Sequence, residues 1–299
     1  MSEVLTGCSG KLPFSWLSAL QRRLRGSDQV WADAENLPPL SLGLMSIDTV
    51  VVDDEDLPNS VVLAILHSMN DVFAAGGMPT AFSLSLTLSG RPNLGKLQSL
   101  TAAISDFSIQ SEVSIGKLHT TVDCHTSRAT VACVGQLVST HSTLPAEGGV
   151  WLVDSLKALA EAAPKTSPMW VRERLMSRRG AVECVPGPKK DVSGDGLAGA
   201  AYQLATQYHC AISLELSSFA SQFAGSPVDS CTLDRNYADF SGLLHGFKGR
   251  DVAWLRSVLF EPQFFGPLLC LSEYELRCAT QSYRKIGSFV SGDRSVSII

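Results

Sequence analysis

Hydrophobic and polar positions alternate along the chain with two periods, near two and near 3.6 residues, and the alternation predicts the elements. Residues 44–52 are a β-branched, apolar run with Asp48 embedded in it, which predicts a buried strand. Asp56, Leu57 and Pro58 supply a cap and a first-turn proline for a helix running to about residue 75, stopped by Gly76 and Gly77. Residues 81–88 predict a strand, 97–107 a helix, 112–115 a strand followed by a turn, and 129–138 a strand. The cluster 145–149 reads as a turn and as the domain boundary. Beyond it, 150–153 predict a strand and 155–163 a helix. The stretch 164–190 carries four prolines, alternating charge and little apolar periodicity, which predicts mostly loop with one short helix. Residues 197–208 predict a helix, 211–216 and 266–271 strands, and 273–283 a final helix. Strands and helices alternate in both halves, so the fold class expected is α/β or α+β in two domains, 1–148 and 149–299.

Composition narrows the function classes. The 299 residues are 45% hydrophobic, 18% charged and 7% aromatic, values of a globular protein rather than a disordered or fibrous one. A net charge of −5 argues against a nucleic-acid or anionic-membrane partner. Only 21–25 and the pair Lys189 and Lys190 approach a basic cluster, and both read as solvated faces. Residues 1–11 show no basic region leading into an apolar core, so no secretory signal is expected. No stretch approaches the roughly 18 apolar residues of a membrane span. Eight scattered cysteines without a Cys-x-x-Cys pair make a disulfide framework or a structural zinc site unexpected, and favour a reducing cytoplasm. Cys133, Cys210 and Cys270 sit in apolar runs and read as small core residues.

Four features carry candidate chemistry. In Gly7-Cys8-Ser9-Gly10-Lys11 a nearby ammonium would stabilise a thiolate and the glycines would admit a phosphate, or the segment is simply an N-terminus without a role. Asp48 interrupts an apolar strand, and Asp71 falls in the last turn of an apolar helix, where the dipole repels negative charge. Carboxylates placed against burial and dipole call for a cation. Asp28 and Asp191 lie in polar segments and read either as caps or as further hard oxygen ligands of Mg2+. Gly194-x-Gly196-x-x-Gly199 matches a dinucleotide fingerprint, with Glu215 about 20 residues on. The preceding Pro186-Gly-Pro-Lys-Lys-Asp191 does not read as a central strand, so the glycines read as a loop opening onto a helix. Gly116-Lys-Leu-His-Thr120 predicts a turn whose amides could bind phosphate, or a plain hairpin turn. His67 and Asp71 share a helix face at i, i+4 but do not make a metal site alone.

Taken in order, these segments resemble selenophosphate synthetase (selenide, water dikinase) of the aminoimidazole ribonucleotide synthetase-like ATP-binding superfamily. Gly7 to Pro13 is similar to that family's Gly-Cys-Gly-Cys-Lys-x-Pro stretch, and Ser46-Ile-Asp48 to its Thr-Thr-Asp strand end. His67-Ser-Met-Asn-Asp71-Val-Phe-Ala-Ala-Gly-Gly-Met-Pro79 is similar to its Asn-Ala-(Leu/Ile)-Ser-Asp-(Ile/Val)-(Tyr/Phe)-Ala-Met-Gly-Gly-x-Pro helix. Asp191-Val-Ser-Gly-Asp-Gly-Leu-Ala-Gly199 is similar to Asp-Val-Thr-Gly-Phe-Gly-Leu-Leu-Gly. Arg235-Asn236 and Phe260-Glu-Pro-Gln263 echo Arg-Asn and Asp-Pro-Gln.

The resemblance implies a two-domain αβ fold whose N-terminal domain dimerises through its sheet, with ATP in the groove between domains. It implies Cys8 and Lys11 as the catalytic pair on a mobile segment 1–27, with Lys11 and Ser27 at the nucleotide. Asp28, Asp48, Asp71 and Asp191 would hold Mg2+ bridging ATP, and Gly116, His119 and Thr120 would stand at a Gly-Gly-His-Ser turn beside it. The activity implied is synthesis of selenophosphate from selenide with release of AMP and phosphate, with a selenium-delivery protein as a further partner. The chain departs from the family where that turn has become Gly-Lys-Leu-His-Thr, where Thr-Lys-Pro-Leu-Gly has become Val153-Asp-Ser-Leu-Lys157, and where Asp-Pro-Gln-Thr-Ser-Gly-Gly has become Glu261-Pro-Gln-Phe-Phe-Gly-Pro267. Two alternatives follow: a diverged paralogue that phosphorylates another acceptor, and a nucleotide-binding pseudoenzyme.

Overall fold

The structure is a computed structural model that describes residues 35–36, 43–90, 94–123, 125–138, 144–154, 168–218, 230–247, 253–263, 266–276 and 283–299. Contacts divide these residues into two units. The first holds β1 (Glu35–Asn36), β2 (Gly43–Val51), α1 (Leu57–Ala74), β3 (Gly77–Ser89), α2 (Leu94–Ser111), β4 (Ser114–Asp123), β5 (Arg128–Leu137) and α3 (Pro168–Cys184). Its sheet has the order β1-β2-β5-β3-β4, antiparallel except for the β3/β4 pair.

Alternation along β2 turns Leu44, Ser46 and Val50 inward, and leaves Met45, Ile47 and Val51 on the outer face, 40%, 63% and 40% exposed. The run expected to be wholly buried is therefore covered on one face, because its apolar content belongs to both faces. Helix α1 explains its near-continuous apolar sequence differently: Val61, Ile65, Leu66, Met69, Val72 and Phe73 are all buried, since it packs on the sheet, α2 and α3. Pro58 occupies its first turn, as expected. The Asp56 carboxylate accepts from Asn59 Nδ2 at 2.7 Å instead of capping the backbone. At the other end Gly76, at φ 83°, takes the left-handed turn that stops the helix.

The stretch expected to be mostly loop contains α3, 17 residues long. Its buried stripe is Val171, Leu175, Arg178 and Val182, with an arginine in the place of an apolar residue. Arg178 is fully buried and its Nε donates to Asn70 Oδ1 at 2.7 Å. Arg179 donates to Glu112 Oε2 at 3.0 Å and to the Ser111 carbonyl at 2.5 Å, tying α3 to the end of α2.

The second unit holds β6 (Glu147–Val153), β7 (Lys189–Asp191), α4 (Gly196–Tyr208), β8 (Cys210–Leu214), α5 (Ser230–Phe240), β9 (Leu244–His245), α6 (Ala253–Phe260), β10 (Leu268–Ser272), β11 (Tyr283–Ser291) and β12 (Ser295–Ile298). The sheet order is β7-β10-β6-β11-β8-β12-β9, antiparallel except at β8/β12 and β12/β9. Val150, Leu152, Leu269, Leu271, Ile212 and Leu214 pack under α4, α5 and α6, with Phe240 and Phe260 filling the gaps. The helix expected at 273–283 is not formed at either end: residues 273–276 are bends and coil, and Tyr283 opens β11. Lys189 and Lys190 are not solvated. They lie buried in edge strand β7, where the Lys189 ammonium donates to the carbonyls of Val185 and Gly187 at 2.7 and 3.0 Å.

Candidate functional site

Strand β2 and helix α1 bring two carboxylates to one hydroxyl. The two-residue period of β2 sets Ser46 and Asp48 on the face that α1 covers, and Asp71 sits in the last turn of α1. Ser46 Oγ donates to Asp71 Oδ2 at 2.7 Å and lies 3.1 Å from Asp48 Oδ2. Ser68 Oγ, at 3.3 Å, approaches the same hydroxyl. A hydroxyl carries one proton, so it donates to only one of the two carboxylates at a time. Asp71 lies in the last turn of α1, whose negative end adds to the repulsion. Hard oxygen donors gathered in this way fit a small divalent cation that completes its shell with phosphate or water.

Two groups flank the pair. His67 Nε2 stands 4.0 Å from Asp48 Oδ1, its side chain 6% exposed. Cys133, in register with Ser46 across β5/β2, is buried, and burial with the Asp71 and Asp48 charges pushes its thiol up to about 12. It stays protonated at neutral pH and does not compete as a thiolate ligand. Among the described residues, no three His, Cys, Asp or Glu side chains are gathered so as to hold a metal ion by themselves.

In the second unit Asp191 ends β7 at 2% exposure, with Lys190 Nζ 4.0 Å from its Oδ1. The glycine loop that follows is held from four directions. The Val192 amide donates to the Pro267 carbonyl at 2.9 Å, and the Ser193 carbonyl receives the Gln263 amide at 3.0 Å. Asn236 Nδ2 bridges the carbonyls of Gly194 and Phe260 at 2.8 Å each, and Arg235 Nη2 adds a bond to Gly194 at 3.2 Å. Gly196 is required: at φ +68° a Cβ would meet the Leu259 carbonyl at 2.8 Å. The loop thus enters α4 with fixed backbone. The strand before it is an edge strand antiparallel to β10, so the parallel strand that a dinucleotide fingerprint requires is not there.

The expected turn at 116–120 is instead part of β4. Gly116 lies at the irregularity where β4 passes Ser83, whose Oγ would be 2.7 Å from a Cβ. His119 pairs with Ser85 and Thr120 with Leu86, so the two side chains belong to opposite faces of an exposed strand. Cys8, Lys11, Ser27 and Asp28 lie outside the described residues. Asp48 and Asp71 are brought together, while Asp191 belongs to the second unit. Ser46 joins the site as a residue that no charge or motif role marks in the sequence, although the strand period alone sets it on the face of Asp48. Among the described residues no helix is long and apolar enough to cross a membrane.

Solved structures with this arrangement include "AaThiL complexed with AMPPCP and TMP", TM-score 0.66 at 16% identity, covering 96% of this chain and 93% of that one. Thiamine monophosphate kinase from Aquifex aeolicus gives 0.63 at 16% identity over 95% and 96%. Hydrogenase maturation protein HypE in complex with ATP gives 0.58 at 18% identity over 89% and 84%. The fold is the aminoimidazole ribonucleotide synthetase-like fold. It is the fold class expected from the sequence, recovered at identities low enough that they establish the fold alone. No family model and no curated protein matches the chain.

Proposed function

We propose that the chain is an ATP-dependent phosphotransferase whose nucleotide is held through a divalent cation at Asp48 and Asp71. The observation that carries this reading is the single Ser46 hydroxyl between two carboxylates at a helix C-terminus. Support comes from structures of the same fold solved in complex with AMPPCP and with ATP. Mg2+ bound there would offset phosphate charge and orient the terminal phosphoryl group. Asp48 and Asp71 supply its oxygen ligands, and Ser46 keeps the two carboxylates facing one another. Asp191 and Asp28 are further ligands in this reading. Ser27, Gly116 and Thr120 complete the nucleotide contacts in this reading, while His119 faces the other side of β4. Cys8 and Lys11 act on the acceptor, the thiolate on the chalcogen and the ammonium on developing phosphate charge.

The acceptor in the leading reading is selenide, which rests on the sequence resemblance through Gly7 to Pro13 and His67 to Pro79. A second acceptor class, a small phosphate monoester, is favoured by the structure that holds TMP beside AMPPCP over nearly the whole chain length. The reading includes a cytoplasmic location and a homodimer, the latter supported by the exposed Met45, Ile47 and Val51 on the outer face of β2. A selenium-delivery protein belongs to the selenide reading alone.

One assay separates these cases. The protein is incubated with ATP, Mg2+ and either selenide or thiamine monophosphate, and nucleotide products are resolved. Selenide-dependent AMP supports the leading reading, and ADP formed only with thiamine monophosphate supports the second. Calorimetric Mg-ATP binding with no turnover under either acceptor points to a nucleotide-binding pseudoenzyme. Absence of ATP binding sinks the proposal.

A further inference from the structure

We infer that His67 is a positioning residue for the cation site, fixing the Asp48 carboxylate from the side opposite Ser46; the inference rests on the cation reading above. Asp48 is approached at both oxygens by side chains from different elements. Ser46, on β2, approaches Oδ2 at 3.1 Å, and His67, on α1, brings Nε2 to 4.0 Å from Oδ1. The imidazole is 5% exposed and Asp48 is partly open, with a side-chain exposure of 20%. A buried ring behind a half-open carboxylate restricts its rotation without covering the side from which a cation arrives. At 4.0 Å the ring acts by its dipole or through one bridging water rather than by a direct hydrogen bond. Partners of this kind set the affinity of metal-binding carboxylates, because an unheld side chain must lose rotamer freedom on binding. The i, i+4 spacing of His67 and Asp71 puts both on the same helical face, so one helix supplies a ligand and the group that orients the other ligand.

Direct cation binding tests this without reference to activity. Mn2+ is titrated into nucleotide-free protein and its free fraction followed by electron paramagnetic resonance. His67→Ala is expected to bind about ten- to a hundredfold more weakly than the unmodified chain, the usual effect of losing a supporting partner. His67→Gln, whose amide nitrogen reaches about as far as Nε2, is expected to recover most of that loss, which a merely space-filling role would not produce. Should His67→Ala fail to fold, His67→Phe fills the volume without a polar nitrogen and takes its place. Unchanged Mn2+ binding in these variants, with binding lost in Asp71→Asn, overturns the role of His67 and leaves the cation site standing. Unchanged binding in Asp71→Asn overturns the site itself.

Discussion

Residue by residue, the positions that carry the candidate chemistry are those where a side chain conflicts with its surroundings, and such conflicts are legible in sequence. Asp71 stood out because an acidic group ends an apolar helix. Its Ser46 partner was harder to find, because a hydroxyl in a strand is unremarkable until the register across β2 and α1 is known. Asp71→Asn should remove an unfavourable contact with the helix dipole worth about 0.3–1 kcal/mol and so keep or raise the unfolding midpoint. It should at the same time abolish Mn2+ binding and ATP-dependent turnover, since a neutral amide is a poor Mg2+ ligand. Thermal unfolding and a cation titration on the same sample check both halves. Lys189 makes a different prediction. Burial lowers its ammonium from 10.5 to about 8, so between those values the unfolded chain binds a proton that the folded chain does not. Stability should therefore rise with pH from about 8 to 10.5, and Lys189→Met should flatten that rise in denaturant midpoints measured across the window.

Among elements, period and punctuation located most of the first unit. The strand at 43–51, the helix at 57–74 and the strand at 128–137 all fell within a few residues of expectation, because Pro58 and Gly76 mark the ends of that helix and the strands alternate cleanly. Helix α3 escaped because its inward stripe contains Arg178, which reads as a surface residue. Strand β4 was expected to end at residue 115, because nearly all its side chains are exposed, which leaves glycine and polar residues to suggest a turn. The buried arginine also predicts how α3 is held. Arg178→Met keeps most of the volume but removes the donor to Asn70 Oδ1, at a cost on the order of 1–3 kcal/mol. The exposed Arg172 on the same helix should tolerate alanine within about 0.5 kcal/mol. Equal denaturant midpoints for the two variants would show that α3 is not anchored by this contact.

The whole molecule was the scale least accessible to periodicity, because the contacts that assign α3 to the first unit join residues more than 60 positions apart. The order of short motifs pointed to the fold class that the solved structures share, while the acceptor is governed by residues for which neither periodicity nor fold provides a constraint. Assembly can be argued from the sheet itself. Met45, Ile47 and Val51 project from β2 on the face away from α1, and Ile47 is 63% exposed. An isolated residue of this kind needs no explanation, but three apolar side chains on one strand face, broken only by Thr49, do. A second copy of the chain satisfies them through a two-fold axis, because the same patch then faces itself. Ile47→Asp separates the cases, since a residue so exposed in the monomer contributes little to its stability and should be replaceable without unfolding. The unmodified protein should run as a dimer in light scattering and show an unfolding midpoint that rises with concentration, whereas Ile47→Asp should run as a monomer with a concentration-independent midpoint. A monomeric unmodified chain at high concentration would remove the homodimer from the proposed function while leaving the cation site untouched, because Asp48 and Asp71 lie on the opposite face of the sheet from Ile47.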